Sequence, residues 1–155
     1  MKKEVLISIS GLHFEVLEEP IEDRNQTLEV ITLGDYYLKN GKHYILYDEI
    51  IEGMEGTIKN KIKISGDNCL EILKTGLSNA HMVFEKDRKN LNYYETPFGQ
   101  MLVSVNTKKM DISVTDEKID VFVDYELDVN HAPLADCQIR LNITPKESGE
   151  EIMRV

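Results

Sequence analysis

The sequence predicts one all-β domain, a single antiparallel up-and-down barrel of about ten strands. Apolar residues recur at every second position through most of the chain, which is the periodicity of a half-buried strand. Turn-forming residues interrupt this alternation at short, regular intervals, as they do in sandwiches and barrels. A length of 155 residues fits one domain, and 41% apolar with 30% charged residues is the balance of a soluble globular protein.

Each strand is predicted from its own alternating run. Between Ile119 and Val129 the apolar residues occupy odd positions and acidic residues occupy most even ones, so one face is expected to be buried and the other hydrated. We expect no long helix, one short helical turn over 18–23, a barrel domain over 1–146 and a frayed tail over 147–155. The predicted strands lie near residues 3–15, 26–38, 42–51, 57–65, 69–75, 79–86, 90–96, 100–114, 118–129 and 135–144.

Two local signals indicate how the strands are joined and bent. The Asn40-Gly41 pair favours a two-residue hairpin turn with two positive φ angles. In the long run 100–114, apolar residues occupy odd positions up to Thr107 and even positions from Met110. One extra residue near Lys108 would restore the register, which defines a β-bulge. Bulges bend long strands, and a sheet of this many strands tends to close and so remove its exposed edges.

The charge balance argues against two classes of partner. The formal net charge is −10, with 28 acidic and 18 basic residues. Nucleic acids and the anionic membrane surface both attract basic proteins, so we expect neither as a partner. Lys59, Lys61 and Lys63 alternate along one predicted strand and so share one face, which we interpret as a hydrated face.

The chain offers no signal for a membrane, a leader peptide or a metal. No apolar run approaches the roughly 18 residues of a transmembrane helix, and the N-terminus lacks a secretory h-region, so a cytoplasmic protein is expected. Cys69 and Cys137 are far apart and are expected to be free, buried thiols. The histidines show no metal-ligand spacing and no nucleophile motif occurs, so we expect no catalytic residue, no metal and no cofactor.

Four residues are candidates for lining the barrel: Tyr47, Glu49, Tyr93 and Glu95. Glu49 shares parity with Tyr47, and Glu95 shares parity with Tyr93. If these faces point inward, buried carboxylates would need a cationic or polar ligand, or a Lys or Arg partner. The opposite faces are nearly as apolar, so the sequence leaves open which face of the 44–51 strand is inside. The alternative is that both carboxylates lie at strand ends in water.

A set of local strings resembles a known family. Tyr44-Ile45-Leu46-Tyr47-Asp48-Glu49, Gly53-Met54-Glu55-Gly56-Thr57, Tyr93-Tyr94-Glu95-Thr96-Pro97-Phe98-Gly99 and Thr107-Lys108-Lys109 together are similar, in order and spacing, to the YwiB-like bacterial proteins, a family of unknown function. The resemblance implies a calycin-like, or lipocalin-like, barrel and implies no catalytic activity. Calycin relatives often hold a small apolar ligand, although this chain has no Trp and so lacks the Gly-x-Trp opening of secreted lipocalins.

Three functions are consistent with these observations. The leading hypothesis is a non-catalytic barrel that binds a small, partly apolar molecule, which requires an open cavity of a few hundred Å³. The alternative is a protein-interaction or oligomerisation module, including a homodimer, which requires an apolar patch outside the barrel. An enzyme that uses Glu49 and Glu95 is the third, and it requires both carboxylates in one cleft.

Overall fold

The computed structural model describes residues 2–11, 29–50, 53, 55–77, 79–96 and 99–146, and these residues form ten strands. Within them, nothing forms a helix of the length and hydropathy that crossing a bilayer requires. The strands are β1 (Lys2–Ser10), β2 (Glu29–Lys39), β3 (Lys42–Ile50), β4 (Thr57–Ser65), β5 (Cys69–Gly76), β6 (Ala80–Glu85), β7 (Lys89–Thr96), β8 (Gly99–Val114), β9 (Ile119–Val129) and β10 (Ala132–Pro145).

The predicted strands are confirmed, but two boundaries within the described residues are wrong by more than one residue. The last strand begins at Ala132 and not at residue 135. The first strand ends at Ser10 and not at residue 15, because Gly11 follows in a bend with φ of 81°. A Cβ at Gly11 would lie 1.6 Å from the carbonyl oxygen of Gln138, so a side chain cannot continue the strand there. The helical turn predicted over 18–23 and the tail 147–155 lie outside the described residues.

The strands form one antiparallel sheet in the order β6-β5-β4-β3-β2-β1-β10-β9-β8-β7. Neighbours in the sheet are consecutive in the chain, except that β1 pairs with β10. The two outer strands, β6 and β7, are joined by the turn at 86–88. There the Asp87 N–H donates to the Thr107 carbonyl at 3.1 Å, and the Thr107 N–H donates to the Arg88 carbonyl at 3.0 Å. The predicted up-and-down barrel is therefore confirmed, and it is nearly closed.

The turn and the bulge occupy their predicted places. Asn40 and Gly41 have φ of 53° and 74°, and Asn130 and His131 form a second turn with φ of 49° and 68°. The pairing of β8 with β9 shifts between Thr107 and Lys109, which makes Lys108 the extra residue of the bulge. A second shift, between Pro133 and Ala135 on β10, has no counterpart in the sequence prediction.

Among the side chains that the structure describes, alternating residues from every strand but β7 contribute to one continuous apolar core. On β9, every odd position from Ile119 to Leu127 is buried. Phe84 of β6 and Tyr125 of β9 meet across the interior, with ring centroids 4.9 Å apart at 72°. Both cysteines are free; Cys137 is buried as predicted, whereas Cys69 is only half-buried at the start of β5. The middle of the barrel is thus filled by packed side chains.

Candidate functional site

The barrel has an open cleft at the end where β1 begins, which we call the mouth cleft. It has a volume of about 360 Å³ and is lined by the first residues of β1, the β2–β3 hairpin, the β8–β9 turn and the end of β10. Buried Val5, Ile119 and Ile143 form its floor. Leu38 and Val114 form its rim, where they remain 48% and 44% exposed although they lie on the inward faces of β2 and β8.

One wall of the mouth cleft carries a polar pair. The Tyr36 hydroxyl lies 2.7 Å from Nδ1 of His43, and the two rings stack with centroids 5.8 Å apart. Partial burial lowers the pKa of His43 and raises the pKa of Tyr36. The imidazole is therefore neutral at pH 7 and the phenol keeps its proton. In the tautomer in which the phenol donates to Nδ1, Nε2 carries the imidazole proton and is a donor.

The hairpin register places this pair. The two-residue turn at 40–41 sets Leu38 opposite His43 and Tyr36 opposite Ile45. Tyr36 and His43 are then diagonal neighbours on the inward face of adjacent strands, within reach of each other's rings. The Nζ of Lys3, from β1, lies 5.5 Å from the Tyr36 ring centroid and adds a cation–π contact.

The β8–β9 turn forms a charged rim of the cleft. Its backbone is fixed by Thr115, whose N–H donates to the Lys118 carbonyl at 2.9 Å and whose Oγ1 accepts from the Lys118 N–H at 3.1 Å. This turn brings Asp116, Glu117 and Lys118 to the cleft, opposite Lys3. The rim therefore carries both signs of charge around an apolar floor. Such a lining suits a small molecule with an apolar body and one hydrogen-bonding group.

The structure settles which face of β3 is inside, and it places Tyr47 and Glu49 there. Tyr47 is 6% exposed and belongs to the core, while the Glu49 side chain is 25% exposed at the strand end. Glu49 Oε1 lies 2.7 Å from Nζ of Lys74 and accepts a hydrogen bond from Nδ2 of Asn60 at 2.8 Å. The inward carboxylate thus has a lysine partner, at the barrel end opposite the mouth cleft.

The other two candidates lie on β7. Tyr93 pairs with Leu102 and Glu95 pairs with Gln100 in the β7–β8 ladder. Their side chains lie outside the described part of the structure. A lining that combines Tyr47 and Glu49 with Tyr93 and Glu95 therefore stays a prediction.

Sequence reasoning missed four site residues: Asn60, Lys74, Tyr36 and His43. The alternation of the sequence could have identified the first two. Asn60 shares a strand face with Ile62, and Lys74 shares one with Ile72, and the two isoleucines are fully buried. A polar residue at the end of such an apolar series is a candidate interior group. Tyr36 and His43 follow from the register that the 40–41 turn imposes, once that turn is taken as a two-residue hairpin.

Comparisons with known proteins agree with this fold. A family model described as Domain of unknown function (DUF1934) matches residues 14–141. The Uncharacterized beta-barrel protein YwiB of Bacillus subtilis (strain 168) is 28% identical over 130 residues, which cover 83% of this chain and 86% of the relative. The crystal structure of ywiB protein from Bacillus subtilis aligns with a TM-score of 0.72 at 19% identity, covering 93% of this chain and 92% of that one.

Proposed function

The chain belongs to the DUF1934 family of domains, and we propose that it binds a small, partly apolar molecule in the mouth cleft. One observation carries this proposal: inward-facing apolar side chains at this end of the barrel remain exposed around an open volume. Leu38 and Val114 are nearly half exposed, although the next inward residues, Val5 and Ile119, are buried. Apolar surface left open to water in a concave site gains free energy when a ligand covers it.

The position of the open volume favours a ligand site at the mouth of the barrel over one deep in its interior. The interior between the two ends is packed, with Phe84 against Tyr125 at its centre. A ligand there would have to displace core side chains. The mouth cleft, at about 360 Å³, lies within the range of small-molecule sites and needs no such rearrangement. A relation to ligand-holding calycin barrels would be an analogy of fold only.

The polar wall supplies the orientation of the ligand. A neutral His43, held by Tyr36 at 2.7 Å, presents a ring nitrogen and an aromatic face beside the apolar floor. A ligand with a carbonyl or carboxylate oxygen would be held by such a donor, and Lys3 adds a positive charge on the same side. The proposal therefore includes one hydrogen-bonding acceptor on the ligand.

A structural role fits Glu49 better than acid–base chemistry. Its carboxylate is engaged by the Lys74 ammonium and the Asn60 amide, both at hydrogen-bonding distance. A general base must lie within hydrogen-bonding reach of a bound substrate, and Glu49 does not line the mouth cleft. We therefore assign the barrel a binding function and not a catalytic one. The unbonded thiols of Cys69 and Cys137 suit a reducing compartment, which supports the cytoplasmic location that we propose with it.

Binding of the fluorescent dye 1-anilinonaphthalene-8-sulfonate, a small aromatic anion, tests this proposal. Leu38→Glu and Val114→Glu place a negative charge at the rim, where it repels the anionic dye, and each should weaken dye binding by about tenfold, or 1.4 kcal/mol. Leu91→Glu on β7 is the matched control, since Leu91 is 57% exposed far from the cleft. Leu33→Glu controls for dye bound to the outer surface of β2.

Two results would overturn the proposal. One is a native protein that gives no dye fluorescence enhancement at any accessible concentration. The other is dye binding that Leu38→Glu and Val114→Glu leave unchanged while Leu33→Glu abolishes it. Far-ultraviolet circular dichroism of each variant checks that the barrel is intact. Amide chemical-shift changes on titration with the dye should cluster at residues 36–43 and 114–119.

A further inference from the structure

The outward faces of β2, β3 and β5 carry an unusual share of exposed apolar surface. In the described part of the chain, five large apolar side chains are exposed on outward strand faces, and four of them lie here. The fifth is Leu91 on β7. The β2 and β3 residues lie on adjacent strands, whereas the outward lysines of β4 separate them from the β5 residue. Exposed apolar surface gathered on one side of a domain marks a site of interaction. The four residues are Ile31, Leu33, Ile50 and Leu73, with exposures of 59%, 52%, 82% and 36%.

A groove of about 530 Å³ runs through this surface. Leu33, Leu46 and Leu73, from β2, β3 and β5, give it an apolar lining, and we call it the leucine groove. Stacked Tyr37 and Tyr44 lie beside it on β2 and β3, with ring centroids 4.8 Å apart. Aromatic and aliphatic side chains of this kind are typical of the centre of a protein interface.

The charges around the leucine groove are sorted by strand. Asp35 lies on β2 and Asp48 on β3, whereas Lys59 and Lys61 lie on β4. Asp48 and Lys59 are direct partners in the β3–β4 register and so lie at the same height along the barrel. The groove therefore has a negative side and a positive side that match each other.

We propose that the leucine groove is the contact surface of a symmetric homodimer. A two-fold axis that runs parallel to the strands, between β3 and β4, sets β3 of each copy over β4 of the other and β2 over β5. Asp48 of each copy then faces Lys59 of the second copy, because the two residues share one height. The same operation sets β2 over β5, so that Leu33 lies diagonally from Leu73 of the second copy, while Asp35 shares the height of Leu73 and Leu46 shares that of Lys61. An interface of this kind must be self-complementary, and the Asp48–Lys59 pair meets that condition.

The size of the surface is adequate for a dimer. Four strands about 4.8 Å apart and nine residues long cover a face of about 20 by 30 Å, or roughly 600 Å². Stable interfaces bury roughly 800 Å² of accessible surface on each partner, so a face of this size on the convex outside of a barrel fits a weak dimer. The positive side faces the partner's acidic side, so the Lys59–Lys63 face is then an interface and not merely a hydrated surface. This inference is independent of the mouth cleft, which lies at the end of the barrel.

Sedimentation equilibrium of the full chain from about 1 to 100 µM tests the proposal, because weak homodimers dissociate in this range. The native chain should sediment as a dimer at the upper end. Leu33→Arg should raise the dimer dissociation constant by about tenfold or more, which is 1.4 kcal/mol. Leu91→Arg, with similar exposure on β7, should leave the dissociation constant unchanged.

A charge exchange gives a sharper test. Asp48→Lys alone and Lys59→Asp alone each set like charges across the two-fold axis and should weaken the dimer by about tenfold. The combined Asp48→Lys/Lys59→Asp variant restores opposite charges and should return the dissociation constant to near the native value. A monomer at every concentration overturns the proposal, as does a dimer that Leu33→Arg and the single charge variants do not weaken. A monomer that binds another macromolecule on this face also overturns it.

Discussion

The ammonium of Lys74 and the carboxylate of Glu49 lie 2.7 Å apart inside one end of the barrel, and the lysine side chain is only 6% exposed. These residues are 25 positions apart in the chain and come from β5 and β3. Asn60, on β4 between them, donates to the same carboxylate oxygen at 2.8 Å. Three adjacent strands are thus tied together by one largely buried polar cluster, where a change at one charged residue alters the electrostatic environment of the other.

We predict that the two partners differ in the cost of their removal. Glu49→Gln leaves a buried ammonium facing a neutral amide and should lower the free energy of unfolding by about 2 kcal/mol or more. Lys74→Met removes the charge together with its desolvation cost and should lower it less. In the double variant the loss should be close to that of Lys74→Met alone. Urea unfolding of the four proteins gives the coupling energy.

The matched control is the exposed pair Lys63 and Glu71, whose charged atoms lie 3.5 Å apart on the outward face. Its coupling energy should stay below about 1 kcal/mol, as for other surface pairs. Equal coupling in both cycles would contradict the view that burial makes the Glu49–Lys74 pair important.

A second prediction concerns the buried hydroxyl of Thr107. Thr107 is 1% exposed and its Oγ1 has no hydrogen-bond partner among the described residues. Thr107→Val keeps the shape and removes a polar atom from an apolar site, so the free energy of unfolding should be unchanged or rise by up to about 1 kcal/mol. Thr115→Val is the opposite case, because Thr115 Oγ1 accepts backbone hydrogen bonds in the β8–β9 turn. Thr115→Val should lower the free energy of unfolding by about 1 kcal/mol. If thermal unfolding showed Thr107→Val to be the less stable of the two variants, the view that the Thr107 hydroxyl is unsatisfied would be refuted.

The strands and the bulge could be predicted because both are local. Alternation within 119–129 follows from which face is buried, and the parity change around Lys108 is visible within a single strand. Two-residue turns such as Asn40-Gly41 also fix the pairing of adjacent strands. A sheet of about ten strands that is bent by a bulge tends to close. The barrel architecture could therefore also be predicted from the sequence.

The site could be predicted only in part, because it depends on side chains from strands distant in sequence. Glu49 was identified as a candidate, yet its partner Lys74 becomes its neighbour only through the pairing of β3 with β4 and of β4 with β5. Both faces of β3 are nearly equally apolar, so alternation alone gives no inward direction. The mouth cleft lies where inward side chains no longer fill the barrel. The alternation of apolar and polar residues does not show at which residue of a strand that happens.

A pH-dependent stability is predicted for the Tyr36–His43 pair. Burial lowers the pKa of His43 in the folded protein below its usual value of 6.5, so the unfolded chain binds more protons as the pH falls. The stability that His43 contributes is therefore present at neutral pH and is lost as the pH falls below 6.5 towards the folded pKa. Between about pH 8 and pH 5, His43→Gln should flatten the profile of unfolding free energy. His131→Asn in the exposed turn between β9 and β10 is the control, and an equal flattening there would argue against the assignment.

The last prediction concerns the close approach of β2 and β3 at Gly34. A Cβ at this position would lie 2.4 Å from the Leu46 carbonyl oxygen and 2.6 Å from Cδ1 of Ile7. One neighbour is backbone and the other is a fully buried side chain, so neither yields without disturbing the core. Gly34→Ala should therefore lower the free energy of unfolding by about 1–3 kcal/mol, against less than about 1 kcal/mol for Thr32→Ala on the same face of β2. Urea unfolding compares the two variants, and equal losses would show that the strands can separate at Gly34 without cost.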